Sequence, residues 1–484
     1  MANVIPIHQG NHGAGRFRNI LLIGGAAVMG LGAMAPAFMG APLAGRGVLA
    51  AVLMLLLIVL VRMSPSVGLN ATLIYLVLMG WMRRAMTPYV DWVDMDPLLV
   101  VAPGVALVYG GAALWNTRGK SLTKYTKHLL ALLVVMVLEI FNPIQGGISV
   151  GIFGALFYIV PILWFFVGRD MLDVNRLGSL LRTFQWVAVA ALVYGSYQMW
   201  FGFSQPELDW AEMAHFSWIT APGLARPFST LPSFAEYAHL VMGGAVIVTA
   251  GLLCRQKIGL ILIPVMLYGL FMASSRSAMM ALLATMCVLW AVMSKDRKTW
   301  IFRGWIAAIV AVIALVAVMT RVQESTVNSE SFETSKTSKL VTHQTEGFLN
   351  PTDPSKSTLG VHTSMVLIDL ARGFETPIGY GLGATTLASV KMGNETNNSE
   401  IDISNMFTAL GAIGGVLYLA FVIRSLILAF KTWHRTRNIV WLSVLGVLIC
   451  YLFLWLIGGE YTISMIVWLC LGALERAQRK VITI

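Results

Sequence analysis

The chain has 484 residues, of which 57% are hydrophobic and only 12% are charged, and its mean hydropathy is +0.75. A soluble globular chain carries about 25% charged residues, so this composition excludes an ordinary soluble protein and indicates a membrane protein with many spans. The net charge of +11 does not indicate nucleic-acid binding. Lys and Arg occur in short clusters between apolar runs, as the positive-inside rule describes, and they form no basic face or tail.

Apolar runs long enough to cross a bilayer, about 20 residues each, recur along the whole chain. We predict an all-α polytopic protein with fourteen spans, and twelve is the alternative count. The predicted spans begin near Asn19, Arg46, Pro65, Pro97, His128, Ile148, Gln185, Phe234, Ile258, Ser277, Ile301, Asn405, Asn438 and Tyr461. The run from Ile258 to Val292 has two further interpretations, one long helix or a re-entrant pair.

The first apolar run has the features of a secretory signal. Arg16 and Arg18 precede it, and it ends in Ala33-Met34-Ala35-Pro36-Ala37, which imitates a cleavage site. Only further spans follow it, so we interpret the run as an uncleaved first helix, with a cleaved signal peptide as the alternative.

The charges of the connecting segments predict the orientation of the spans. If the N-terminus is cytoplasmic, connections rich in Lys and Arg alternate with connections poor in them, and the C-terminus is cytoplasmic as well. We therefore predict one integral membrane domain over residues 1–484. A short loop at 204–233 and a long loop with short helices at 321–404 then lie on the extracytoplasmic side. Arg83 and Arg84 depart from the alternation.

Two arginines in the predicted extracytoplasmic segments are candidate anion ligands. Arg226 lies in the Pro-rich end of the short loop, which also holds Glu207, and a guanidinium binds phosphate through two parallel hydrogen bonds. Arg276 lies between two apolar runs, and an ionisable residue at membrane depth is a functional candidate by default. The alternative for Arg226 is an anchor to lipid headgroups, and for Arg276 it is snorkelling to the interface.

Ser233-Phe234-Ala235-Glu236 matches a capping box that opens the next span. We therefore expect a structural role for Glu236.

The long loop holds further candidates. His362 begins an amphipathic segment, predicted to be a short helix on the membrane surface or packed over the spans. Pro377–Gly383 forms a Gly-rich turn after it. Glu400 and Asp402 then precede the next span, where carboxylates either stabilise a helix N-terminus or act as a general base on a hydroxyl.

The pattern offers no metal site and no cofactor motif. The four cysteines, Cys254, Cys287, Cys450 and Cys470, fall within or at the ends of apolar runs and have neither metal-site nor disulfide spacing. We interpret them as small core residues.

Four short motifs occur in an order that resembles the O-antigen polymerase and O-antigen ligase superfamily. They are Ala225-Arg226-Pro227-Phe228, Ser275-Arg276-Ser277, Pro377-Ile378-Gly379-Tyr380-Gly381-Leu382-Gly383 and Gly411-Ala412-Ile413-Gly414. The resemblance covers roughly Ser204 to Tyr418, and its specificity lies in the order of the motifs and in the topology around them.

The resemblance implies a metal-independent membrane glycosyltransferase of the GT-C type in the bacterial inner membrane, acting at its outer face on undecaprenyl-diphosphate-linked glycans. It implies that Arg226 contacts the donor diphosphate, and from its position between apolar runs we predict Arg276 as a second phosphate contact. His362 falls where ligases and many polymerases carry another Arg. Glu400 falls where ligases carry a His, which favours a polymerase that joins oligosaccharide repeat units.

The general-base candidates are Glu400, Asp402 and His362, in that order. The expected partners are the lipid-linked glycan, membrane lipids, a flippase and a chain-length regulator, without nucleic acid. Two alternatives stay open: ligase-type transfer to another acceptor, and a polytopic transporter of lipids or glycans. A transporter would be expected to carry charged residues deep within several spans. In this sequence Glu139 is almost the only charged residue in such a position.

Overall fold

The fold is described from a computed structural model of the chain. It defines residues 42–89, 92, 95–118, 121–213, 219–220, 224–294, 296, 298–300, 302–304, 306, 345–346, 349–350, 353, 359–387, 389, 401–456 and 459–482. Within these residues the regular structure is helical, apart from one pair of two-residue strands, β1 (Ile219–Thr220) and β2 (Leu224–Ala225). The strands are antiparallel, with Ile219 opposite Ala225 and Thr220 opposite Leu224.

The long helices in chain order are α1 (Pro42–Met63), α2 (Pro65–Ala85), α3 (Val101–Trp115), α4 (Lys124–Glu139), α5 (Ile148–Met171), α6 (Val174–Phe201), α7 (Gln205–Met213), α8 (Phe234–Leu253), α9 (Gly259–Met272), α10 (Arg276–Val292), α11 (Leu359–Glu375), α12 (Asp402–Thr436), α13 (Ile439–Cys450) and α14 (Tyr461–Ile482). Two 3-10 turns, Pro97–Val100 and Pro143–Gln145, precede α3 and α5.

Seven of the described helical segments are long and apolar enough to cross a membrane, and α9, α10 and α13 are shorter apolar helices. This confirms an all-α polytopic membrane protein. Twelve of the fourteen predicted spans contain a described helix. The run near Asn19, with its signal-like end, and most of the run near Ile301 lie outside the described residues, so the span count stays a prediction.

Side-chain contacts show which helix termini lie at the same end of the bundle. At one end the C-termini of α2, α4 and α6 meet the N-termini of α8, α12 and α14; we call it the loop end. There Arg84, at the end of α2, donates to the carbonyl of Leu231, just before α8. At the opposite end Thr126, at the start of α4, donates to Glu475, near the end of α14. This alternation matches the expected one, and the side that faces the cytoplasm stays a prediction.

The run from 258 to 292 forms two helices, α9 and α10, so the single-helix interpretation is wrong. The break lies at Ser274, whose φ of 56° is left-handed, and Arg276 is the first residue of α10. Both helices pack on α8. Arg276 consequently lies in a tight turn at the loop end.

The chain between α13 and α14 is irregular where a span would be expected to continue. α13 has 12 residues, about 18 Å at 1.5 Å per residue, whereas a bilayer core is about 30 Å thick. Trp455 and Leu456, in the irregular stretch, are fully buried. Non-helical backbone at membrane depth is tolerated only where protein covers it or where it lines a cavity, so its polar neighbours are candidates for a site.

Arg83 and Arg84, which depart from the charge alternation, are both buried inside the protein. Arg83 Nε lies 3.1 Å from Asp96 Oδ2, and Arg46 pairs with the same carboxylate oxygen. We call Arg46, Arg83 and Asp96 the paired cluster. Because Arg83 is paired with Asp96 inside the protein, an intramolecular ion pair accounts for its place at the loop end without a cytoplasmic location.

α11, the helix that contains His362, packs on α12 through its small and polar residues. The Cα of Gly373 lies so close to Phe407 that an added Cβ would come within 2.6 Å of the Phe407 carbonyl oxygen. The apolar residues Met365, Leu367 and Ile368 are 42%, 62% and 51% exposed. α11 therefore packs over the spans, one of its two predicted positions, with Asp369 and Gly373 buried and Thr363 and Ser364 exposed.

Candidate functional site

The segment that follows Arg226 is built into the protein interior. Phe228, Ser229 and Leu231 are fully buried. Arg84 donates from Nη2 to the Ser229 carbonyl at 2.6 Å and from Nη1 to the Leu231 carbonyl at 2.7 Å. One guanidinium thus satisfies two carbonyls of a buried non-helical segment, which would otherwise be costly to desolvate.

Gln198, near the end of α6, holds the same segment from the other side. Its Oε1 accepts hydrogen bonds from the backbone N–H groups of Phe228 and Ser229, at 3.2 and 2.7 Å. Its Nε2 donates to the buried carboxylate of Glu207 at 2.7 Å, and Tyr194 donates to the same Glu207 oxygen. Glu207, an acidic residue of the short loop, therefore orients the amide that fixes the backbone after Arg226.

Arg226 itself is half-buried at the loop end. Its Cζ lies 4.4 Å from the ring centroid of Phe234, the first residue of α8, and its Nε is buried without a hydrogen-bond partner. Burial lowers the pKa of Arg226, and the nearby charge of Arg276 lowers it further. The structure therefore places the two arginines selected from the sequence within electrostatic range of each other, although they belong to separate loop-end segments.

A second group of polar side chains lies around the start of α8 and of α14. His239 Nδ1 lies 2.8 Å from Glu460 Oε2 and 2.9 Å from Oε1. Thr462 donates to Glu236 Oε1 at 3.0 Å, and Glu460 is within electrostatic range of Glu236. We call His239, Glu460, Glu236 and Thr462 the open cluster, because His239 and Glu460 keep 14% and 13% of their side-chain surface exposed.

The predicted capping box at the start of α8 is half formed. Ser233 Oγ accepts from the backbone N–H of Glu236 at 3.1 Å, as a helix N-cap does. The Glu236 side chain, however, accepts from Thr462. The cap is therefore confirmed, while the Glu236 carboxylate belongs to the open cluster.

Asp402, one of the predicted bases, is fully buried at the first residue of α12. Its Oδ2 accepts from the backbone N–H of Leu456 at 2.7 Å, and its own N–H donates to the Phe453 carbonyl at 3.0 Å. The side chain and backbone of Asp402 thus hold the irregular segment between α13 and α14 in place. Its role as a base stays a prediction.

The Gly-rich turn docks on a break in α12. Tyr380 and Gly381 donate their N–H groups to the carbonyls of Thr408 and Ala409, at 2.9 and 3.1 Å. These carbonyls are released because the helix is interrupted at Gly411, whose φ is 67° and ψ is −176°. A Cβ at Gly411 would lie 2.0 Å from the Pro377 carbonyl oxygen. The two glycine motifs therefore pack directly against each other.

The same turn also contacts the connection between α4 and α5. Asn142 Nδ2 donates both to Glu139 Oε2 at 2.7 Å and to the Gly379 carbonyl at 2.9 Å. Gln145 Oε1 accepts from the Gly383 N–H at 2.9 Å. Glu139, the charged residue that stood out within a predicted span, therefore lies at the end of α4 and supports this contact.

The structure does not show the side chains of the other two predicted bases, Glu400 and His362. Glu400 lies outside the described residues. His362 is part of α11, but only its backbone is described. Among the described residues no group of three or more His, Cys, Asp or Glu side chains has the arrangement of a metal site.

The open cluster was not predicted from the sequence. His239 and Glu460 are 221 residues apart in the chain, so no local motif links them. A signal was nevertheless present, because each is an ionisable residue near the predicted start of a span, and such residues are functional candidates.

No protein-family model matches the sequence, and no curated protein is significantly similar to it. We therefore infer the function from the chemistry of the two arginines and of the open cluster.

Proposed function

We propose that the chain is a membrane glycosyltransferase that joins undecaprenyl-diphosphate-linked oligosaccharide repeat units on the outer face of the bacterial inner membrane. The long loop and the loop end then face the extracytoplasmic side, and both termini are cytoplasmic. The acceptor is a hydroxyl group of a sugar, and the leaving group is the lipid diphosphate.

The observation that carries this proposal is the convergence of Arg226 and Arg276. Two guanidinium groups within electrostatic range repel each other, and burial makes their charges more costly. A diphosphate between them would relieve both effects, because each guanidinium can bind phosphate oxygens through two parallel hydrogen bonds. The buried Nε of Arg226 that lacks a partner is one donor available for such an anion.

The same two arginines would promote the reaction. As the bond between the sugar and the phosphate breaks, negative charge grows on the diphosphate, and a fixed donor near that charge stabilises the transition state. One well-placed donor contributes about 3–4 kcal/mol in comparable oxyanion sites. The network of Arg84, Gln198 and Glu207 holds the segment next to Arg226 rigid, as preorganised stabilisation requires.

The test is the substitution Arg226→Ala in the full-length protein reconstituted in liposomes with undecaprenyl-diphosphate oligosaccharide. We expect chain extension to fall by about 10²–10³-fold, the effect of removing one such donor. Product length is measured by gel electrophoresis and mass spectrometry. Arg182→Ala is the matched control, because Arg182 is an exposed residue of α6, well before the loop end, and this variant should extend chains like the wild type.

Three outcomes would contradict the proposal. Wild-type polymer length in a folded Arg226→Ala variant would remove the role of the arginine pair. Transfer by the wild-type protein only to a different acceptor, such as a lipid A core, would indicate a ligase. Movement of the lipid-linked glycan across the bilayer without any new glycosidic bond would indicate a transporter.

A further inference from the structure

We propose that His239 is the general base that takes the proton from the acceptor hydroxyl, and that Glu460 positions it. This inference rests on the proposed function and replaces the three base candidates chosen from the sequence. It assigns a catalytic task to a pair that no sequence motif joins.

The hydrogen bond between the two side chains determines which nitrogen is available. An ionised carboxylate only accepts hydrogen bonds, so His239 Nδ1, 2.8 Å from Glu460 Oε2, carries the ring proton. The lone pair is then on Nε2. Within the part of the chain that the structure describes, no protein group forms a hydrogen bond with Nε2. The imidazole keeps 14% of its surface exposed, whereas Asp402 has none.

The dyad and Arg226 both lie against the N-terminal part of α8, at the loop end. His239 follows Phe234 by five residues, which is about 7.5 Å along the helix axis and about 140° around it, and the Arg226 guanidinium rests on the Phe234 ring. The leaving diphosphate and the attacking hydroxyl are on opposite sides of one anomeric carbon. The groups that serve them should therefore approach the substrate from different sides, and Arg226 and His239 reach the loop end from different faces of α8.

Three further titratable groups of the described residues lie near the dyad. Glu236 is on the same helix and accepts from Thr462. Asp402, at the start of α12, is within electrostatic range of Glu460, and so is Tyr451, after α13, whose hydroxyl donates to the His239 backbone carbonyl.

The proposed step is balanced in atoms and charge. The acceptor hydroxyl oxygen bonds to the anomeric carbon of the donor sugar, and its proton passes to His239 Nε2. The bond between that carbon and the phosphate oxygen breaks, and its electron pair leaves with the lipid diphosphate. Glu460 stabilises the imidazolium until the proton is released to solvent, as a carboxylate does for the histidine of a catalytic triad.

The test compares His239→Asn with the wild type in the liposome assay. The Asn amide can donate to Glu460 as Nδ1 does, but it provides no base at the position of Nε2. We expect kcat to fall by about 10²–10⁴-fold, the usual contribution of a positioned base, while the affinity for undecaprenyl diphosphate is retained. His128→Asn is the matched control, because His128 Nε2 bonds to the Leu417 carbonyl on another part of the bundle and its loss should leave kcat near the wild-type value.

The pH dependence of the rate separates a base from a structural residue. In the wild type, kcat/KM should fall at low pH because protonated Nε2 cannot accept the hydroxyl proton. The residual activity of His239→Asn should lack this dependence, and Glu460→Gln should change it by destabilising the imidazolium. Exogenous imidazole should partly restore the rate of His239→Ala.

The results distinguish this inference from the proposed function. If the wild type extends chains and His239→Asn does so with an unchanged kcat and pH profile, the dyad is not the base although the function stands. If His239→Asn folds but loses undecaprenyl-diphosphate binding, His239 belongs to the donor site and the inference is overturned. If the wild type makes no glycosidic bond, the proposed function fails and the inference fails with it.

Discussion

The paired cluster and the open cluster both collect ionisable side chains at the loop end, yet their environments differ. In the paired cluster, Asp96 is shared by Arg46 and Arg83, and all three are buried. In the open cluster, His239 and Glu460 keep some exposure, and the imidazole keeps a nitrogen that no described residue engages. A fully buried and paired cluster indicates a structural role, whereas a partly exposed imidazole with an available lone pair indicates chemistry.

The largest expected effect is on the paired cluster. Asp96→Ala leaves two buried guanidinium groups without their shared carboxylate, and breaking a buried ion pair costs about 3–5 kcal/mol. The same change also removes the cap on the Leu98 N–H. We expect a strongly lowered melting temperature and poor recovery of folded protein, measured by fluorescence-detected thermal unfolding in detergent.

Asp173→Ala is the control for this prediction. Asp173 also caps a helix, through the Arg176 N–H, but it is exposed, and a cap costs about 1 kcal/mol. If Asp96→Ala and Asp173→Ala have the same melting temperature, the paired cluster is not a structural element.

An intermediate effect is expected for Arg84, which links the neighbourhood of the paired cluster to the segment after Arg226. Arg84→Ala leaves the carbonyls of Ser229 and Leu231 without their donor, at about 1–3 kcal/mol for a buried unsatisfied group. Because this segment fixes the backbone beside Arg226, undecaprenyl-diphosphate affinity should fall together with stability. Both are measured on the same sample, by thermal unfolding and by a lipid-binding titration.

Arg84→Lys sharpens this prediction. An ammonium group keeps the charge but lacks the planar fork that reaches both carbonyls, so it should recover stability only in part. Unchanged donor affinity in a folded Arg84→Ala variant would show that the segment does not position Arg226.

The smallest effect is expected for Thr462, at the edge of the dyad in the open cluster. Thr462→Val keeps the shape of the side chain and removes the hydrogen bond to Glu236, which should cost about 1 kcal/mol. We expect the transfer rate to fall far less than in His239→Asn, since the dyad itself is untouched. A loss of rate as large as that of His239→Asn would shift the catalytic role from the dyad toward Glu236.

Much of the architecture was predictable because it depends on local rules. Arg226 and Arg276 could be selected because a cation beside an apolar run has few structural reasons to be there. The cap at Ser233 follows from the need to satisfy the first N–H groups of a helix. The break of α12 was not predicted, because it depends on a distant part of the chain. The turn that begins at Pro377 packs where a Cβ of residue 411 would lie and donates to the carbonyls that the break releases.

The sequence by itself determined that this is a membrane protein of apolar helices with alternating ends, because a bilayer forces each long apolar run to satisfy its own backbone hydrogen bonds. It also singled out the Pro-rich and Gly-rich segments between those runs. Only the tertiary structure decided which of these segments meet. Arg226 with Arg276, and His239 with Glu460, are joined by the packing of helices that are distant in the chain, and no local pattern encodes such a contact.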